Sequence, residues 1–164
     1  MGAAMGHEIS MPIFQAFPDL AGSAGHTLLA TLPTPLEIHR GSDLGLSVRH
    51  MMIKRDDKSG RAYGGNKVRK LEFLLGEALR VGAHGVVTFG VAGSNHALAT
   101  SIYARACGLE SHSMLTRQSN AAYVRRNLLA GFHAGAHLHP CASEEQAVEH
   151  ADMAQLHALF VQFW

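Results

Sequence analysis

A chain of 164 residues with 47% hydrophobic and 16% charged residues is long enough to bury one sizeable core and too apolar to be a disordered segment. Its 14 basic residues nearly balance its 13 acidic ones, so no global field draws it to nucleic acid or to an anionic membrane. Two cysteines, Cys107 and Cys141, make no disulfide framework, which fits a reducing, cytoplasmic setting, and no apolar run nears the roughly 20 residues of a membrane span.

Residues 1 to about 30 carry scattered glycines and are expected to be loosely ordered, with one short helix around Ile13 to Phe17 and no signal-peptide layout. "LPTPLE", Leu32 to Glu37, reads as extended, because each proline pushes the residue before it out of the helical region. A strand follows at Val48 to Lys54, and the glycines of "SGRAYGG", Ser59 to Gly65, mark a loop. From Lys67, apolar residues at 68, 71, 74, 75, 78 and 79 recur at helical spacing up to a stop at Gly82. A buried strand at Gly85 to Gly90, a helix from His96 to Ala106 and a strand at Ser111 to Leu115 come next. Ser119 or Asn120 should cap a third helix through Leu129, with Gly131 beyond it. "AHLHP" gives a strand ending at Pro140, and the capping box "SEEQ", Ser143 to Gln146, opens a last helix to about Leu159. This alternation predicts an α/β protein, a three-layer, open and mainly parallel sheet with helices on both faces. Met51, Met52 and the leucines of the first long helix are expected in the core.

In such a sheet, ligands sit at the carboxyl ends of strands, where loops meet helix N-termini. Two segments have that placement: "GGNK", Gly64 to Lys67, and "GVAGSNH", Gly90 to His96. A lysine at a helix N-terminus gains nothing from the macrodipole, so Lys67 is either a solvated surface residue or an amine wanted at a site. A lysine partly desolvated in a glycine niche can lose its proton near neutral pH and attack a carbonyl. Ser94, Asn95 and His96 would supply polar contacts, although Ser94 and Asn95 also fit plain helix caps. Neither segment matches the dinucleotide G-x-G-x-x-G or the P-loop, which removes the usual support for hydride transfer and nucleotide hydrolysis. Lysine chemistry with pyridoxal phosphate needs this set of groups.

"LPTPLE", "IKRDD", "GGNKVRKLEFLLGEAL", "TFGVAGSNHALATSIYARACGL" and "YVRRNLL" stand in an order and spacing similar to the D-cysteine desulfhydrase and 1-aminocyclopropane-1-carboxylate deaminase family, over about residues 31 to 140. That family belongs to the tryptophan-synthase-β type of pyridoxal-phosphate enzymes. The resemblance implies that Lys67 is joined to the cofactor, that Asn95 hydrogen-bonds its phenolic oxygen, and that Ser94 lies near the substrate carboxylate and α-carbon. Gly64, Gly65 and Asn66 would shape the approach of the lysine, and His96 resembles the desulfhydrase branch. The implied activity is deamination with β-elimination of a small amino acid such as D-cysteine, the alternative being ring opening of the cyclopropane substrate.

Enzymes of that family run to roughly twice this length, and their second half carries a glycine- and threonine-rich loop for the cofactor phosphate. The resemblance therefore implies an incomplete fold: residues 1–60 belonging to a larger domain, residues 61–164 forming a small α/β domain, and little turnover from this chain alone. The apolar ending "FVQFW", with Phe160, Phe163 and Trp164, reads as a cut end. A non-catalytic remnant, or an interaction domain pairing with a second copy as a homodimer through that end, is the competing reading. Gly93 departs from the glutamine that many relatives carry before the serine.

His137, His139 and Cys141 would share one face of a strand, with His133 nearby, but no zinc-site spacing is present and no metal is expected. "KRDDK" and "YVRRN" read as solvated charged faces, and without interleaved aromatics they do not make a nucleic-acid surface.

Overall fold

The computed structural model describes residues 11–154 and 158–160. In chain order the elements are α1 (Pro12–Ala16), α2 (Leu20–Ser23), β1 (Leu36–Arg40), β2 (His50–Lys54), α3 (Lys67–Arg80), β3 (Gly85–Val91), α4 (Asn95–Ala106), β4 (Glu110–Thr116), α5 (Ala122–His133), β5 (His137–Cys141), α6 (Glu144–Ala154) and β6 (Ala158–Phe160). Strands β1 and β2 form an antiparallel ribbon, and β3 to β6 form a parallel sheet in the order β5-β4-β3-β6. The expected α/β architecture is present.

Side chains alternate across the central strand, and that alternation splits the core in two. Val86 packs with Leu71, Leu75, Ala99 and Tyr103 beneath α3 and α4. Val87, its neighbour, packs with Met114, Cys141, Ala147 and Ala151 beneath α6 on the opposite face. Helices thus cover both faces of β3, which is why its first four residues are all buried. No helix among the described residues is long and apolar enough to cross a membrane.

Three expectations need correction. The last helix stops at Ala154, and Ala158–Phe160 turn into a strand that pairs with Gly85–Val87 of β3. A short apolar run fits helix or strand equally by pattern, and pairing here satisfies backbone groups along an otherwise open edge of β3. Phe163 and Trp164, like the first ten residues, lie outside the described residues. Helix α5 is capped at Ala121 without a side-chain bond, because the Asn120 carboxamide instead accepts from Arg125 Nη1 at 3.0 Å. That helix runs through Gly131 and ends at His133, ahead of Gly135, whose φ is 84°. Met52 is 68% exposed on the outer face of the ribbon, opposite Ile38.

The segment ahead of β1 is fastened to α3 by a buried carboxylate. Glu72 is 1% exposed, and its Oε1 accepts from the backbone N–H groups of Leu29 (3.0 Å) and Ala30 (2.8 Å). The two backbones touch at a reciprocal glycine pair: a Cβ on Gly25 would lie 2.5 Å from Glu77 backbone atoms, and one on Gly76 would lie 2.5 Å from those of His26. Removing the carboxylate leaves two half-buried donors without their acceptor, and each such loss costs roughly 1–3 kcal/mol. Glu72→Ala is therefore expected to lower unfolding stability by about 3 kcal/mol in urea denaturation; a change below about 0.5 kcal/mol, the size of an ordinary surface substitution, would contradict this role.

Candidate active site

A cavity of about 370 Å³ opens at the carboxyl ends of β3 and β4, among the first turns of α3, α4 and α6. Its size falls within the roughly 300–1,000 Å³ typical of small-molecule sites. Lys67, Ser94, His96 and Thr116 supply polar groups to its wall, and Phe89 and Met114 supply apolar ones. The two loops singled out in the sequence therefore meet at one cavity.

The loop ahead of Lys67 can be built only with its glycines. A Cβ on Gly64 would lie 1.9 Å from the carbonyl oxygen of Asp57, and Gly65 has φ 103°. Ser59, fully buried, ties this turn in both directions: its Oγ donates to the Gly65 carbonyl at 2.8 Å and accepts from the Gly65 N–H at 3.1 Å. The Gly65 N–H also donates to the Asp56 carbonyl at 2.7 Å. One helical turn on, Arg69 reaches back to the Asp56 carboxylate at 2.9 Å, and the Thr34 hydroxyl donates to the same oxygen at 2.9 Å. These bonds hold that carboxyl below the usual aspartate range. Asn66 occupies the cap position of α3 but makes no side-chain cap bond, is exposed, and does not line the cavity.

Ser94 does cap α4, its Oγ accepting from the Ala97 N–H at 3.2 Å, and it lines the cavity as well. The plain capping reading and the site reading are thus satisfied by the same residue. Gly93 is buried, and a Cβ there would come within 2.9 Å of side-chain atoms of Gln118, Tyr123 and Val124, which would have to shift to admit it. Asn95 sits beside the cavity rather than in its wall. Its Oδ1 accepts from Tyr63 Oη (3.1 Å) and from Asn127 Nδ2 (2.9 Å), which leaves its Nδ2 as the donor. Asn127, buried on α5, also donates to the Gly93 carbonyl at 2.8 Å and so fixes the whole serine loop. By local pattern alone Asn127 falls in the charged run "YVRRN". The signal was its register with Val124 and Gly131, the other buried positions of α5.

His96 is pushed down to about 4, first by burial and then by the positive charges of Lys67 and Lys70. It is therefore neutral at pH 7. The unfolded chain takes up this proton near pH 6.5, while the folded chain resists until about pH 4. The associated stability is complete above about 6.5 and is lost as pH falls towards about 4. His96→Gln is expected to flatten this part of a plot of thermal midpoint against pH; an unchanged acid slope would contradict it.

A family profile described as "Pyridoxal-phosphate dependent enzyme" matches residues 27–162. Nocardicin C-9' epimerase from Nocardia uniformis subsp. tsuyamanensis is 44% identical over 96 residues, covering 58% of this chain and 29% of the epimerase. The mitochondrial bifunctional D-cysteine desulfhydrase/1-aminocyclopropane-1-carboxylate deaminase of Arabidopsis thaliana is 42% identical over 126 residues, covering 73% of this chain and 31% of that enzyme. A crystal structure of an ACC deaminase homologue superimposes with a TM-score of 0.72 at 29% identity, covering 93% of this chain and 47% of the homologue. A pyridoxal 5'-phosphate-dependent aspartate racemase shares the fold at a TM-score of 0.61. The chain spans under a third of these curated relatives and under half of the homologue. With its profile match running nearly from β1's approach to β6, and its lysine and serine loops meeting at one cavity, the chain belongs to the pyridoxal-phosphate dependent enzyme family.

Proposed function

We propose that this chain is the lysine-bearing part of an enzyme that deaminates a small amino acid with β-elimination, in the manner of a D-cysteine desulfhydrase. The observation that carries the reading is the convergence of Lys67, Ser94 and His96 on one cavity. The groups present suit a flat aromatic aldehyde. Lys67 offers the amine, Phe89 and Met114 offer apolar surface, and the Asn95 Nδ2, turned by its two oxygen contacts, is a donor for a ring oxygen.

Pyridoxal phosphate, when bound, supplies an electron sink that makes the α-proton of an amino acid removable. Lys67 would hold it covalently, and Asn95 would hold its phenolic oxygen. The Lys67 amine, in the cavity wall, would be the base that takes the α-proton. The start of α4 presents partial positive charge for a substrate carboxylate, and the Ser94 hydroxyl, which uses its oxygen in the cap, keeps its proton for donation to that group. His96, uncharged, adds no further positive charge to those of Lys67 and Lys70.

The glycine- and threonine-rich phosphate loop of the resembled family has no counterpart among these 164 residues, so we propose that they turn over little on their own. The relatives' names leave cyclopropane ring opening as the second reading of the same site. Titration of the purified chain with pyridoxal phosphate is expected to produce a visible absorbance band that Lys67→Ala removes. Equal bands in both proteins would contradict the assignment of the lysine. Hydrogen sulfide release from D-cysteine at the rate of a complete enzyme would contradict the proposed low turnover.

A further inference from the structure

A second group of side chains gathers on the face covered by α6, towards the start of β4 and β5 rather than at their carboxyl ends. The parallel register sets His112 opposite His137, and strand alternation puts Glu110, His112, His137 and His139 on that one face. The His112 and His137 rings stack at 4.6 Å between centroids, and His112 and His139 stack at 5.3 Å. His112 Nδ1 lies 3.1 Å from His139 Nε2, while His112 Nε2 lies 3.7 Å from the Glu110 carboxylate. One ligand atom from each of Glu110, His112 and His137 falls within 4.8 Å of the others.

We propose that Glu110, His112 and His137 bind one divalent first-row transition-metal ion, for which zinc is the probe. Two imidazoles and a carboxylate are a common donor set for zinc, and three protein ligands leave a position for water. Tetrahedral zinc places its ligand atoms about 3.3 Å apart. Glu110 and His137 are exposed, so rotation of their side chains can close the remaining gap without moving the strands. His139 is the positioning residue. When His112 Nδ1–H donates to His139 Nε2, the Nε2 lone pair of His112 is left facing Glu110, the outer-shell arrangement that metal-bound histidines use.

The absence of zinc-type spacing along the chain does not weigh against this site, because two ligands come from β4 and one from β5, brought together only by sheet register. None of the three lines the lysine cavity, so the inference stands apart from the proposed function. Its consequence is mechanical: the ion would tie β5, at the edge of the sheet, to β4.

Equilibrium dialysis of the full chain, freed of any affinity tag, against buffered zinc tests the inference. One zinc per chain is expected, with affinity lowered at least about tenfold in His112→Ala, His137→Ala and Glu110→Gln, and about 10–100-fold in His139→Ala. His133→Ala, outside the cluster, should bind as the parent does. Zinc should also raise the thermal midpoint of the parent but not of a His112→Ala/His137→Ala double variant, a readout that reports whether each variant is folded. Equal zinc binding by parent and folded double variant, or none by the parent, would overturn the inference.

Discussion

A cation at the first position of a helix faces the positive end of the helix dipole, so the start of α3 is a poor place for Lys67 unless neighbouring structure compensates. What holds it there is the backbone of the preceding turn. Buried Ser59 and the Asp56 carbonyl fasten Gly65, and Gly64 lets the chain pass against Asp57 where any larger residue would collide. The Asp56 carboxylate then reaches Arg69 on the same helix. The lysine is carried on a turn whose neighbours on both sides are fixed, and it stands half-buried in the cavity wall.

The second loop is set by an independent device. Asn127 spans Gly93 and Asn95 from α5, so the start of α4 is held from outside as well as by its own Ser94 cap. Gly93 is packed too, though against side chains where Gly64 meets backbone: Gln118, Tyr123 and Val124 lie beside it. Each half of the site thus rests on a glycine imposed by packing and on a buried polar residue that bonds to the backbone, Ser59 for the lysine loop and Asn127 for the serine loop. Further back, Glu72 and the Gly25–Gly76 contact join the chain ahead of β1 to the helix that carries Lys67.

Local pattern made much of this legible. The helical spacing of Val68, Leu71 and Leu75 placed α3, and Gly82 marked a helix end that does adopt positive φ. The rule that ligands gather at the carboxyl ends of parallel strands was enough to bring the lysine and serine loops together before any coordinates. What stayed hidden depended on partners distant in the chain. Asn127 looked like part of a surface run because its acceptors lie 32 and 34 residues earlier. Ala158 and Leu159 read as the end of a helix because only the open edge of β3 makes a strand of them. The Glu110–His112–His137 group depends on inter-strand register, which no spacing within one segment encodes. Asn120 failed as a cap for a similar reason, its carboxamide being taken by Arg125.

The central claim is that the amine at the start of α3, and not the neighbouring Lys70 that also lines the cavity, is the group that takes the cofactor. Borohydride reduction of the chain in the presence of pyridoxal phosphate, followed by peptide mapping, addresses it most directly. The account expects the phosphopyridoxyl group on Lys67 alone. Label on Lys70, or spread evenly over the surface lysines, would contradict it.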